Sequence, residues 1–216
     1  MSDHTVYTNN GEYLDAELGW LAVRAKRLGV ERRQRERAID SSPKDETVVG
    51  EEPLVLDDEL VRRGAALKVR EASLRAEIDA RLAATRAAKG DTFLGLDRLC
   101  AENGLGPDER LVLLVALAPV AGDEVGQMTT GEVAGSYFIS PTCETVVSFL
   151  DARGIFQRVK YRALFEPRAP LIKGGLITCD YGRKAKAAED VLDARIRLTT
   201  TALDVLVGLC DSAQVQ

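Results

Sequence analysis

The chain has a single histidine, His4, and its four cysteines are scattered: Cys100, Cys143, Cys179 and Cys210 lie 43, 36 and 31 positions apart, with no CxxC pair. A structural zinc site needs Cys and His ligands clustered at short spacing, so this distribution argues against one. The cysteines read instead as reduced thiols serving as small buried hydrophobes. Long apolar runs are missing too. The longest, LVLLVALAPVA from Leu111 to Ala121, is interrupted by Pro119 and falls far short of the roughly 20 residues that span a bilayer. It reads as a core helix. MSDHTVYTNNGEY at the start has neither a basic stretch nor an apolar core. No secretory signal and no membrane association are expected, and the expected location is cytoplasmic.

Catalytic equipment is equally scarce. A phosphate-binding loop needs a Gly-rich turn leading into Lys-Ser/Thr at a helix start. The nearest fragment, Gly182-Arg183-Lys184-Ala185, has neither the spacing nor the hydroxyl, and Gly174-Gly175 is too short to cradle a phosphate. There is no G-x-S-x-G elbow, and a Ser-His-Asp arrangement would have to recruit the terminal His4. The carboxylate pairs Asp57-Asp58 and Glu189-Asp190 fall at helix starts or in loops, where a solvated surface explains them. The expectation is a protein with no cofactor, no metal and no enzymatic activity of its own.

Charge gives no simple attraction to nucleic acid. The net charge is −5, and from Leu96 onward 13 basic and 16 acidic side chains leave that portion acidic as well. One local exception is the cluster Arg153, Arg158, Lys160, Arg162, Arg168 and Lys173, diluted by Asp151 and Glu166. It is the candidate for nucleic-acid contact, with Phe156 and Tyr161 expected to be core residues within it.

What the chain does have is patterned helix. In GEYLDAELGWLAVRAKRLG, Leu14, Leu21 and Leu28 recur at seven-residue spacing with Leu18 and Ala25 between them, an a/d stripe. In LDDELVRRGAALKVREASLRAEIDARLAATRAAKG, Leu60, Leu67 and Leu74 repeat the spacing, joined by Ile78 and Leu82. Asp40-Ser41-Ser42-Pro43 breaks the helix between them. The pattern predicts an antiparallel helical hairpin over residues 1–90, with helices at about 11–39 and 54–89 and a polar loop at 40–53. Those six leucines would hold it together and offer a protein-binding or self-association surface. Trp20 lies off the leucine stripe, where an exposed Trp would serve as a contact anchor.

Residues 91–209 read as a second unit. The expected elements are a helix from Phe93 to Glu102, a turn at 103–107, and an apolar helix opened by Pro107 with Asp108 and Glu109 at its positive end. Ser140-Pro141 signals another helix with Val146, Val147, Phe149 and Leu150 inward, ended by Gly154, and a short helix follows near Tyr161 to Phe165. Residues 171–178 suggest strand, Gly-Gly turn and strand. Residues 180–190 read as a charged wing or loop, ARIRL as a strand, Thr199–Thr201 as the cap of a last helix, and 210–216 as a disordered tail. The fold class is mainly α with a small β wing: a helical hairpin followed by a winged-helix-like domain.

YLDAELGWLAVRAKRL, LDRLCAENGLGPDERLVLLVALAP, ISPTCETVVSFLD, ALFEPRAPLIKGGLITC and RIRLTTTALDVLVG, in that order, resemble the N-terminal region of certain bacterial AAA+ ATPases. Those proteins set a helical hairpin and a winged-helix domain ahead of the motor and are often encoded beside contractile injection systems. The family's segment before the third helix is charged and helical, whereas AGDEVGQMTTGEVAGSYFI is Gly-rich. Where the family continues into its motor, the residues after Gly208 read LCDSAQVQ. The expectation is therefore either a portion of a longer ATPase or a free-standing relative without the motor. The resemblance implies a protein-interaction or adaptor module whose partner is an AAA+ ring, an injection-system component or a motor substrate. A winged-helix DNA-binding regulator and a self-assembling structural subunit of a contractile injection-type complex are the alternatives.

Overall fold

The computed structural model describes residues 6–40, 58–88, 92–121, 126, 140–152, 154–181 and 190–209. The expected loop at 40–53 (apart from Asp40), most of the 180–190 segment, the tail, Arg153 and Cys210 lie outside them.

Two long helices open the fold, α1 (Asn10–Asp40) and α2 (Asp58–Ala87). Asn9 caps α1: the Glu12 amide donates to its Oδ1 at 2.9 Å, and the Glu12 carboxylate turns back to accept from the Thr8 amide at 3.0 Å. This reciprocal arrangement satisfies donors that a helix start leaves orphaned. Glu12 meets Arg81, Glu17 meets Arg75, Arg27 meets Glu71, and Gly64 faces Val30 and Gln34. Partner numbers rise in one helix as they fall in the other, so the pair is antiparallel.

The seam differs from the leucine stripe read from the sequence. On α2 the buried residues are Gly64, Glu71, Ile78 and Thr85, at seven-residue spacing, together with Leu82. Leu60, Leu67 and Leu74 are only half-buried beside them. On α1, Leu14 and Leu21 are buried and Leu28 half-buried, and a parallel line of Tyr13, Trp20 and Arg27 is buried with them. The heptad period is real, but its inward register includes a glycine and paired charges. Hydrophobicity alone selects the leucines one step around the helix.

The second part wraps the α1 end of this hairpin. α3 (Gly95–Glu102) begins later than expected and has no side-chain cap from its own sequence. Instead Asn10 of α1 supplies it: the Gly95 amide donates to Asn10 Oδ1 at 2.7 Å, while Asn10 Nδ2 donates to the Leu206 carbonyl at 2.7 Å. α4 (Pro107–Ala121) is buried on every side from Leu111 to Ala118, as a central helix must be. α5 (Cys143–Phe149) is capped by Thr142, whose hydroxyl accepts from the Thr145 amide at 3.2 Å. Ser140-Pro141 therefore does not open the helix. Pro141 is extended backbone, and its carbonyl accepts from the Ile196 amide at 2.8 Å.

α6 (Ile155–Arg162) continues into a 3-10 turn at Ala163–Phe165, and α7 (Pro170–Lys173) is a single helical turn. β1 (Ile177–Asp180) follows, then α8 (Asp190–Asp193), β2 (Arg195–Leu198) and α9 (Thr200–Val207), the last capped by Thr199 as expected. The Gly-Gly hairpin expected at 171–178 does not form. Pro170 starts a helical turn, and β1 pairs with β2 in antiparallel register, Ile177 opposite Leu198 and Asp180 opposite Arg195. Thr142 bridges Arg195 from the other side, so β2 lies between β1 and the 142 segment. One hydrophobic core runs through α1 and α2 (Leu14, Leu21, Ile78, Leu82) into α3, α4, α5, the strands and α9.

The Glu17 carboxylate ties this core together. It is fully buried, accepts from both Arg75 terminal nitrogens at 2.9 and 3.0 Å, and pairs with Arg110 of α4. Arg110 also donates to the buried Tyr13 hydroxyl. Removing one partner of a buried charge group leaves the others uncompensated. Glu17→Ala is expected to lower unfolding free energy by about 3–5 kcal/mol in urea titration. A Cβ at Gly95 would sit 2.2 Å from the Val205 carbonyl and 2.8 Å from that of Leu206. Because both obstacles are backbone, Gly95→Ala should cost about 1–3 kcal/mol by overpacking in the same titration. The Thr8 amide and then Arg81 hold the Glu12 carboxyl down at about 2. Since an unfolded Glu titrates near about 4.3, the contribution of this carboxylate is whole at neutral pH and lost as pH falls toward 2. Denaturation of wild type and Glu12→Gln at pH 7 and near pH 2 should show a difference at the first that shrinks at the second.

Candidate interaction surface

α5 and α6 form a helix-turn-helix, with Asp151 (φ 55°) and Gly154 (φ 85°) in the corner. At Gly154 the positive φ favours a residue without a Cβ. In such motifs the second helix is the one presented to a partner. Here that helix is α6, backed by α5.

The outward stripe of α6 is Phe156, Val159, Lys160 and Ala163, at i, i+3, i+4 and i+7, and all four are exposed. Phe156 is 89% exposed and Val159 58%. The expectation that Phe156 is a core residue is thus corrected. The inward positions around it are filled by Tyr161, Leu164 and Phe165, the first two half-buried and the last buried, so no place in the core remains for it.

The basic cluster is divided by its partners. Arg158 donates to both Glu144 oxygens at 2.6 Å, and Arg162 pairs with Glu166 at 3.7 Å. Lys160 is exposed with its ammonium 6.0 Å from the Tyr161 ring, and Arg168 and Lys173 are exposed on the segment that follows.

Of the hairpin residues expected to bind partners, Leu14, Trp20 and Leu21 are buried within the chain, while Leu28, Leu60, Leu67 and Leu74 are half-buried. Trp20 is only 8% exposed, and its ring is flanked by the guanidinium groups of Arg24 and Arg75 at 5.4 and 5.3 Å. It packs between the hairpin and the second part, so it is not an exposed anchor. Arg24 also donates to the Phe149 carbonyl at 2.7 Å, and Arg27 lies 3.7 Å from Asp151. These arginines sit where the end of α5 leaves unsatisfied carbonyls, a position that favours cations. A cleft of about 580 Å³ remains beside Trp20, walled by Leu82, Cys100, Leu111 and Arg110 among others.

Of the described cysteines, Cys100 and Cys143 are buried and Cys179 is half-buried. Burial pushes the Cys100 thiol up to about 11. The Cys143 and Cys179 thiols hydrogen-bond one another, which raises Cys143 and lowers Cys179, and desolvation raises the neighbouring Tyr181 hydroxyl to about 12. A reactive thiol needs both accessibility and an electropositive setting, and Cys143 is fully buried. Among the described residues no group of three or more His, Cys, Asp or Glu could hold a metal ion. Among them, too, no helix is long and apolar enough to cross a membrane.

The exposed face of α6 has a signal in the sequence. Phe156 and Val159 at i, i+3 alternate with polar residues just as the buried residues of α5 do. Only the packing shows which way that face points.

No curated protein and no solved structure matches the chain. A family model does, that of the winged helix domain, variant, over residues 1–213. It covers the hairpin as well as the helix-turn-helix and the strands. The chain belongs to the winged helix domain family, in its variant form.

Proposed function

We propose that the chain is a non-catalytic protein-interaction module, an adaptor that presents the outward face of α6 to a protein partner. The observation that carries this reading is Phe156, 89% exposed on the helix that a helix-turn-helix presents. Reading base edges in the major groove relies on side chains that donate or accept hydrogen bonds, such as Arg, Asn and Gln. A phenyl ring and a valine at the centre of the stripe favour an apolar protein surface, where buried aromatic anchors dominate binding energy.

The resemblance to the N-terminal region of AAA+ ATPases supplies the partner classes: an AAA+ ring, an injection-system component or a substrate brought to a motor. The hairpin seam that a second copy would use is filled within the chain, so self-assembly through it forms no part of the proposal.

The DNA-binding alternative rests on a specific observation as well. Lys160, Arg168 and Lys173 are exposed on or just after α6, where phosphate contacts would be made. The two readings separate by salt. Affinity capture from native cytosol, washed at low salt and at about 0.5 M, where screening acts within a few ångströms, is expected to retain stoichiometric protein at both. Phe156→Asp should release it. Recovery of nucleic acid alone, lost steeply as salt rises, would overturn the reading in favour of DNA.

A further inference from the structure

The region from Ile155 to Lys173 is locally basic in a chain whose net charge is −5. It holds five basic residues, Arg158, Lys160, Arg162, Arg168 and Lys173, against the single acidic Glu166, a net +4. The remaining 24 basic and 33 acidic side chains sum to −9. Within the basic region two of the five cations are committed, Arg158 to Glu144 and Arg162 to Glu166. Among the described residues no carboxylate pairs with Lys160, Arg168 or Lys173, and all three are exposed.

One of these cations belongs to the apolar stripe, and the other two follow it along the chain. Lys160 lies within it, one position after Val159 and one helical turn from Phe156, while Arg168 and Lys173 follow the 3-10 turn at its C-terminal end. Alternating apolar and basic side chains at helical spacing suit an occupant with the opposite charge and the same period. An exposed phenylalanine has no stabilising function in the isolated chain, since burial is what makes an aromatic favourable.

We propose that this face receives an acidic amphipathic helical segment of a partner protein. Its apolar side chains cover Phe156 and Val159, and its carboxylates pair with Lys160 and with Arg168 and Lys173 at the rim. The inference rests on the protein-docking reading above and adds the chemistry of the partner. Charge favours this occupant over a basic or neutral one, and the apolar stripe favours it over a duplex or a wholly polar acidic chain. A rim cation steers association and sets its salt dependence, while a central aromatic sets most of the affinity.

The test uses the full chain and synthetic peptides of about 18 residues, five helical turns, followed by fluorescence anisotropy. One peptide is an amphipathic Leu/Ala/Glu helix, the second replaces every Glu by Lys, and the third replaces every Leu by Ser. A fluorescent DNA duplex is the fourth probe. The expected result is binding of the Leu/Glu peptide alone, weakened tenfold or more by Phe156→Ala and several-fold by Lys160→Glu, with the Lys160→Glu variant gaining affinity for the Lys peptide. Both side chains are exposed, so circular dichroism is expected to show unchanged helix content.

Absence of Leu/Glu binding, or binding indifferent to both substitutions, overturns the acidic-partner inference. If Phe156→Asp still abolishes capture of the native protein partner, the docking reading stands without it. Duplex binding lost in Lys160→Glu overturns both. Sedimentation showing that the wild-type chain self-associates and that Phe156→Asp does not would assign the face to a second copy and likewise overturn the inference.

Discussion

The carboxylate of Glu17 is the point on which three helices depend. It projects from α1, receives two hydrogen bonds from Arg75 of α2, pairs with Arg110 of α4, and is itself fully buried. A buried carboxylate is tolerated only when its lone pairs are met and its charge balanced. Each arginine can satisfy it only from one helical position. The hairpin register and the docking of α4 against the hairpin are therefore fixed by the same atoms. Leucine packing would accept a neighbouring register at modest cost; this cluster would not.

Other charges extend the arrangement along the joint. Glu71 receives Arg24 at 2.6 Å and Arg27 at 2.5 Å, and Arg24 passes on to the carbonyl at the end of α5. The consequence for function is spatial. Trp20 is enclosed between Arg24 and Arg75 and is not available as an anchor for a partner. The helix-turn-helix is held from behind, α5 by the hairpin and α6 by α5. A rigidly backed helix loses little conformational freedom on binding, which is the property wanted in a docking surface.

Much of this was legible in the residues. The two long helices, α4 with its proline start, Thr199 as a cap and the ARIRL strand all follow from local rules, since their signals lie within one or two turns of the feature they specify. What failed was long-range. The cap of α3 comes from Asn10, 85 positions away. Lys173-Gly174-Gly175 reads as a hairpin turn until Ile177–Asp180 pairs with Arg195–Leu198. Phe156 reads as core because hydrophobicity predicts burial on average and says nothing of which face a particular short helix turns outward.

The sequence by itself determined a mainly helical chain, the order of its longer helices and its lack of familiar catalytic motifs, because periodicity, caps and missing motifs are local properties. Only the tertiary structure decided that Gly64 and Glu71 lie in the seam while Leu60 and Leu67 stand at its edge, that Trp20 is buried, and that Phe156 is not. Those outcomes depend on which charges find partners across helices. A buried ion pair is set by the geometry of two distant segments, and no single stretch of sequence contains it.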